Sequence, residues 1–576
     1  MNKLKLILSL ITSFSCFHQV EASSKKKCLV ENIGYDLANL NPHSVNDFSK
    51  MRVFDDLFEG LVRYNQNGEI VPGCASHWDI SEDRRTYTFH LRPEAKWSNG
   101  DALTAEDFVF AWRSAVDPKN PIKYFSFLFD DIVNAKEIRN GEKKLEDLGI
   151  RAIDNHTFEV KLISPNAMFL NFLCLGIFFP IHKASVETLG LTYGFTPEQT
   201  VGNGAYMLKE FIHNGHILLK KNPNYWDQEN VKIKKVKFVM LQDAFTDMQA
   251  FDSKSIDITH KSLPIRGENF YKEKYQDLLQ EYPILSQDLL VFNLDNDKFR
   301  ELAVRKALTM AIDKKLYIEK IIKLGDISYN PILETLGEKF KEVYNEMPEY
   351  AWTKYKFDKC AIEADWLLDD FFTEENPLKV TITYPIGTFY KNIAEFIQNS
   401  WRQVFKNAVQ VKVEAKLEKD LLESLYKGDF EICLSNVNAF YPSPINFASF
   451  YVSDKTTNFS RYKNPDFDKI FYSSLTKTGQ DLLDAQVELS KMLLKDFVSI
   501  PLFSLPVMKL VNREVGGFCC KKNILNRYST KDLFFINKKD KKKSQKTKAK
   551  TNKKKGESKK EKKVKAKHTK KESKKK

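Results

Sequence analysis

Residues 86–112, TYTFHLRPEAKWSNGDALTAEDFVFAW, join a strand, a tight turn and a capped helix without a break. Tyr87, Phe89 and Leu91 alternate with Thr88, His90 and Arg92, the two-residue period of a strand with one buried face. Pro93 has no backbone N–H to donate and stops the ladder. Ser98, Asn99 and Gly100 supply turn chemistry, because Asn and Gly both accept positive φ. Thr104 stands where an N-cap belongs, and Asp107 three residues on completes a capping box ahead of the apolar face Phe108, Ala111 and Trp112. Alone, this unit specifies an α/β domain and says nothing of its use.

The same grammar extends in both directions. Residues 28–33 read as a first strand, and residues 53–62 as an amphipathic helix with Val53, Leu57 and Leu61 on one face. Residues 148–163 read as two short strands about Asp154 and Asn155. The apolar run 169–180 reads as a buried helix or strand, too short to cross a membrane. Residues 202–220 form a hairpin turning at Asn214-Gly215; His213 and His216 beside that turn are exposed side chains or a metal pair. Farther on, strands at 236–241, 257–259, 289–294, 379–384, 409–415 and 430–434 alternate with helices at 245–253, 299–311, 393–405 and 417–426. A helix at 480–497 precedes the buried-looking run 500–505. Such alternation predicts mixed sheets with helices on their faces.

With 576 residues, 42% hydrophobic and 13% aromatic, the chain has material for several packed lobes and is globular rather than disordered. Its net charge of +14 suggests a polyanion partner until the charge is located. Residues 538–576 hold 22 lysines against Asp540, Glu557, Glu561 and Glu572, a local +18, so the remainder carries −4. That tail has almost no large apolar residue and is expected to be disordered. Its field would draw it to polyanions such as anionic envelope polymers, and without interleaved aromatics it is not suited to stacking bases. Envelope tethering and a plain solubilising appendage both fit it.

At the other end Lys3 and Lys5 precede an apolar run at 6–17, and Val20-Glu21-Ala22 offers small residues for cleavage. This is the order of parts of a signal peptide over residues 1–22, which predicts export. Lipid anchoring at Cys16 is the lesser alternative, since Ser13-Phe14-Ser15 lacks the usual aliphatic residue. Cys28, Cys74, Cys174, Cys360, Cys433, Cys519 and Cys520 remain, irregularly spaced and fitting neither a metal pattern nor a disulfide scaffold. A bridge or two stays open. There is no Gly-rich phosphate loop, GxSxG elbow, HExxH helix or CxxC pair, so no catalytic residue, cofactor or metal site is assigned and no enzyme is expected.

A resemblance sharpens this. The run KWSNGDALTAEDFVFAWRSAVDP at 96–118 resembles the signature region of the extracytoplasmic solute-binding proteins of family 5, the oligopeptide- and dipeptide-binding proteins of ABC importers. NLNPH at 39–43, DLFEGLV at 56–62, VGNGAYMLKEF at 201–211, NPNYWD at 222–227, VRKALTMAID at 304–313 and NPDFDKI at 464–470 follow in the family's order. The resemblance implies a two-lobed periplasmic-binding-protein fold with an extra small domain on the first lobe. Lobe I would take residues 23–58, 185–285 and 508–537, the inserted domain 59–184, and lobe II 286–507. It implies a monomer, in the periplasm, that closes on an oligopeptide or modified peptide by hinge motion and delivers it to membrane permease and ATPase subunits.

Members of the family add the peptide backbone to strands of the lobes and seat its side chains in hydrated pockets. The segments matching that cleft are Asn46, Asp47 and Phe48, then Tyr124, then Val437, Asn438, Ala439 and Phe440. Tyr124 keeps the family's residue, and core packing among Phe125, Phe127 and Phe129 accounts for it equally well. The departures concern charge. Where family members place an Asp to pair with the peptide's amino group, this chain has Phe440; an acidic residue in the early loop is Asn46, and an Arg in the strand is Leu434. Amine recognition is therefore weakened or relocated, which points toward modified, N-blocked or cell-wall peptides. Nickel and haem binders share the fold, but no clustered ligand set appears in the sequence.

Overall fold

Strand Thr86–Leu91 buries Tyr87, Phe89 and Leu91 and leaves the alternate residues partly exposed, the two-residue period expected of it. Helix Ala105–Val116 follows, with Asp107 Oδ2 accepting from the Thr104 amide at 2.9 Å and from the Trp97 indole at 3.3 Å. Its buried Trp112 donates to the Phe178 carbonyl at 3.0 Å, which locks the apolar run around Phe169–Phe172 and Gly176–Phe178 against it. The computed structural model describes residues 28–44, 51–120, 125–260, 268–518 and 525–536. The leader, the lysine-rich tail, Asn46, Asp47, Phe48, Tyr124, Cys519 and Cys520 lie outside these.

Three sheets organise the molecule. Thr86–Leu91 belongs to an antiparallel sheet in the order Ala75–Ile80, Thr86–Leu91, Thr157–Lys161, Ile150–Asp154. The first lobe carries Leu29–Asn32 parallel to Lys235–Val239, followed by His216–Lys221 and Tyr206–Ile212. The hairpin joining the last two turns at Asn214, whose φ of 55° is the left-handed conformation that Asn tolerates.

The second lobe has six strands, in the order Asp326–Ile327, Ser499–Ser504, Ser286–Phe292, Ile432–Asn438, Leu378–Pro385, Val409–Lys416. Central Ser286–Phe292 is buried along its whole length. Helix Thr388–Phe405 connects the parallel pair Leu378–Pro385 and Val409–Lys416 and buries Ile393, Ile397, Trp401 and Phe405 against the sheet. Strands Leu279–Tyr282 and Val507–Leu510 pair antiparallel where the chain passes between the lobes. This is a two-lobed α/β fold.

Several elements differ from their sequence readings. The helix expected over 53–62 is Met51–Leu57. At Gly60 an added Cβ would lie 2.8 Å from the Leu173 carbonyl oxygen, and beyond this close approach the chain enters strand Val62–Tyr64. The helix expected over 299–311 is a turn at Asp297–Phe299 followed by Leu302–Met310. Residues 257–259 make only single bridges, from Ile258 to Glu31 and Val511. The strand read as 430–434 runs Ile432–Asn438, so Val437 and Asn438 close that strand rather than follow it. Among the described residues no helix is long and apolar enough to cross a membrane, and Cys74, Cys174, Cys360 and Cys433 are free thiols.

Candidate functional site

A cavity of about 710 Å³ lies between the lobes, within the ordinary range for small-ligand sites. Glu31, Arg52, Asp55, Lys509 and Tyr528 line its first-lobe side, and Leu289, Val291, Leu421, Leu425 and residues 435–440 line its second-lobe side. Phe125 and Leu175 complete it.

Charge on the first-lobe wall is neutralised internally. Arg52 donates to Glu31 Oε2 at 2.8 Å, to Asp56 Oδ2 at 3.0 Å and to Thr530 Oγ1 at 2.7 Å, while Thr530 Oγ1 donates to Asp56 Oδ2 at 2.5 Å. The guanidinium also lies 4.4 Å from the Tyr528 ring centroid and 4.9 Å from that of Phe238. Burial opposes the Arg52 charge, yet Glu31 and Asp56 hold its pKa well above the ordinary value. Burial raises the Asp56 carboxyl, with Arg52 and Thr530 opposing the shift. Tyr528 donates to Glu31, and Lys509 Nζ donates to the Tyr528 hydroxyl at 2.9 Å. Beside this group Arg527 forks onto Asp55 and donates to the Cys174 carbonyl at 2.7 Å.

The second-lobe wall is lined by aliphatic side chains, by Ser435, Asn436 and Asn438, and by the carboxylate of Glu418; Ser286 and Asp288 lie behind it. Leu289 and Val291 pack with Leu421, Leu425, Phe430 and Cys433. Asn436 Oδ1 accepts from Ser286 Oγ at 2.9 Å and from Asn438 Nδ2 at 2.8 Å. Asp288 faces Asn436 across the ladder, and burial pushes its carboxyl up to about 7, with Asn436 opposing the shift. Strand Ile432–Asn438 is held on one edge by Ser286–Phe292 along its full length. On its other edge Leu378–Pro385 pairs only with Ile432 and Cys433, so among the described residues the edge from Leu434 onward has no strand partner. That edge can accept an extended backbone.

Of the expected ligand-contacting residues, Val437, Asn438, Ala439 and Phe440 are brought together on the cavity wall; Asn46, Asp47, Phe48 and Tyr124 lie outside the described residues. The Phe440 amide donates to Asn446 Oδ1 at 2.6 Å, and its ring meets Phe125 and Phe450 edge-on, each at 6.0 Å. Leu434 is buried in the second-lobe core. His213 and His216 do not form a pair: His213 meets Asp36 at 3.1 Å and His216 meets Glu210 at 3.2 Å. Reading the sequence missed Asn436 and Glu418 on the cavity wall, and Ser286 and Asp288 behind it, although the polar SQD opening an otherwise apolar SQDLLVF strand was an available sign for the last two. It also found no clustered metal ligands, whereas His77, Asp79 and His90 stand together on the inserted sheet, none of them lining the cavity.

Residues 69–459 match the model of the bacterial extracellular solute-binding proteins, family 5 middle region. The chain is 32% identical over 518 residues to the periplasmic oligopeptide-binding protein OppA of Salmonella typhimurium, covering 89% of this chain and 93% of that relative. It is 30% identical over 528 residues to the periplasmic murein peptide-binding protein MppA of Escherichia coli, covering 88% and 94%. Among solved structures, Haemophilus influenzae OppA in complex with RPPGFSPFR superposes with a TM-score of 0.77 at 28% identity, covering 89% of this chain and all of that one.

Proposed function

Because the chain belongs to the bacterial extracellular solute-binding proteins of family 5, we propose that it is the periplasmic substrate-binding receptor of an ABC peptide importer, enclosing an extended peptide between its lobes and handing it on unaltered to permease and ATPase subunits. The observation that carries this reading is the unpartnered edge of strand Ile432–Asn438, which opens into the interlobe cavity. Main-chain hydrogen bonds made there are indifferent to peptide sequence. The paired strands Leu279–Tyr282 and Val507–Leu510 are the hinge in this proposal. We assign residues 286–507 to the moving second lobe and residues 59–184 to the inserted domain.

The ligand favoured by this cleft has no free amino group to neutralise at Phe440, whose surroundings are the Phe125 and Phe450 rings. N-blocked peptides meet that condition. Thermal unfolding of the full chain against a peptide library tests the reading. A bound peptide at a hundred times its Kd adds about 2.7 kcal/mol by mass action and raises Tm. A library of blocked and free peptides that leaves Tm unmoved, or turnover of any member, would overturn the proposal.

A further inference from the structure

The antiparallel register of Ala75–Ile80 and Thr86–Leu91 sets His77 opposite His90, and Asp79 follows two residues along the same solvent-facing side. The imidazoles stack with centroids 4.3 Å apart and planes 12° apart, and His90 Nε2 lies 2.9 Å from Asp79 Oδ2. One nitrogen or oxygen from each of the three residues lies within 4.8 Å of the other two.

The Ser76 hydroxyl lies 2.9 Å from His77 Nδ1 and 3.1 Å from the His90 carbonyl oxygen. When it donates to that carbonyl it accepts from Nδ1, and His77 Nε2 is then the lone-pair atom.

We propose that His77, Asp79 and His90 form a surface site for a first-row divalent cation of the zinc class. Two imidazole nitrogens and one carboxylate oxygen are the protein ligands, and solvent completes the tetrahedron. Zinc bonds of about 2.0–2.2 Å need ligand atoms about 3.3 Å apart and the ion in the plane of each ring, so the two imidazoles turn out of their stack to converge on it. Mixed imidazole and carboxylate donors suit zinc, nickel or copper better than magnesium or calcium. Ser76 acts as the outer partner that fixes the orientation of a ligating histidine. Ala75–Ile80 is an edge strand of its sheet, so the ion ties that edge to its neighbour. The site lies outside the cleft and does not depend on what the cleft binds.

Zinc titrated calorimetrically into the full chain tests the site, with the His77→Ala/His90→Ala double variant and a His213→Ala/His216→Ala variant as the control for other exposed histidines. The double variant loses one equivalent of zinc that the control retains, and Ser76→Ala weakens that equivalent by about tenfold. Crystals soaked in zinc show an anomalous peak between His77 and His90. Equal stoichiometry in all three proteins, or a zinc-soaked crystal with no peak there, would overturn the site.

Discussion

On the first-lobe wall of the cleft Glu31, Asp56 and Arg52 bind one another, and Asp55 binds Arg527, so charge is abundant and already neutralised. On the second-lobe wall Asn436 and Asn438 stand among leucines and valines, Glu418 brings a carboxylate outside those buried ion pairs, and a strand edge stands open. A ligand that took a charge from the first wall would break an ion pair whose other member is buried, at a cost of several kcal/mol. The second wall asks no such cost. The contrast assigns rigidity to one wall and recognition to the other, and each variant below strains one side of it.

The largest effect belongs to Arg52→Met. Arg52 is 8% exposed and Glu31 only 1%, so the substitution leaves Asp56 without its cation and Glu31 with Lys509 at 3.8 Å in place of the guanidinium, and costs about 3–5 kcal/mol. Denaturant unfolding of the full chain reads this. Adding Glu31→Gln and Asp56→Asn to the same variant recovers much of the loss, because the uncompensated charges are then gone. A single-variant cost below about 1 kcal/mol would mean the first wall is held by packing and not by its charges.

Asp288→Asn comes next and probes the buried side of the strand that carries the second wall. The Asp288 carboxyl rises in the fold to about 7 from an ordinary 3.8, so the folded protein holds a proton there that the unfolded chain releases. That contribution is fully present below the unfolded value and is lost as pH rises through the folded one. Asn mimics the protonated acid. The variant should match the parent near pH 4 and exceed it above pH 7, by at most about 4 kcal/mol for a three-unit shift at about 1.4 kcal/mol each. Glu334 shifts in the same direction and Lys314 is pulled down to about 7, both chiefly by burial, but they are common to parent and variant and cancel in the difference. A difference that does not change with pH would show Asp288 ionised in the fold, and the core behind the second wall able to hold a charge.

Legibility in the sequence follows the range of the interactions involved. The alternation at Tyr87, Phe89 and Leu91, the box between Thr104 and Asp107, and the Asn214 turn are local physics, and each appears where it was read. Helix ends fared worse wherever a distant group decides them, as Leu173 crowds Gly60 just past the end of Met51–Leu57. Within the candidate site, residues 437–440 came through the resemblance and line the cavity. The Glu31–Arg52–Thr530 network could not be read, since it joins side chains 21 and 478 positions apart and neither separation has a local signature. The same holds for His77 and His90, which become neighbours only through strand register.

The subtlest test of the comparison is Phe440→Asp, which puts a charge on the second wall. Phe440 lines the cavity between the Phe125 and Phe450 rings, and its amide is already tied to Asn446. The parent should bind the N-acetylated peptide at least as well as the free one, because the first-wall carboxylates Glu31 and Asp55 are already paired and the surroundings of Phe440 are the Phe125 and Phe450 rings. An Asp at 440 adds a charge-assisted hydrogen bond to a free ammonium, so Phe440→Asp should favour the free peptide over the acetylated one by about tenfold, or about 1.4 kcal/mol. Phe440→Leu removes the ring without adding charge and should lower affinity for both peptides alike. Calorimetric titration of the two peptides into the three proteins reads the ratio directly. If the parent already prefers the free amine by tenfold, a carboxylate elsewhere in the cleft is serving the ligand, and the division of labour between the walls fails.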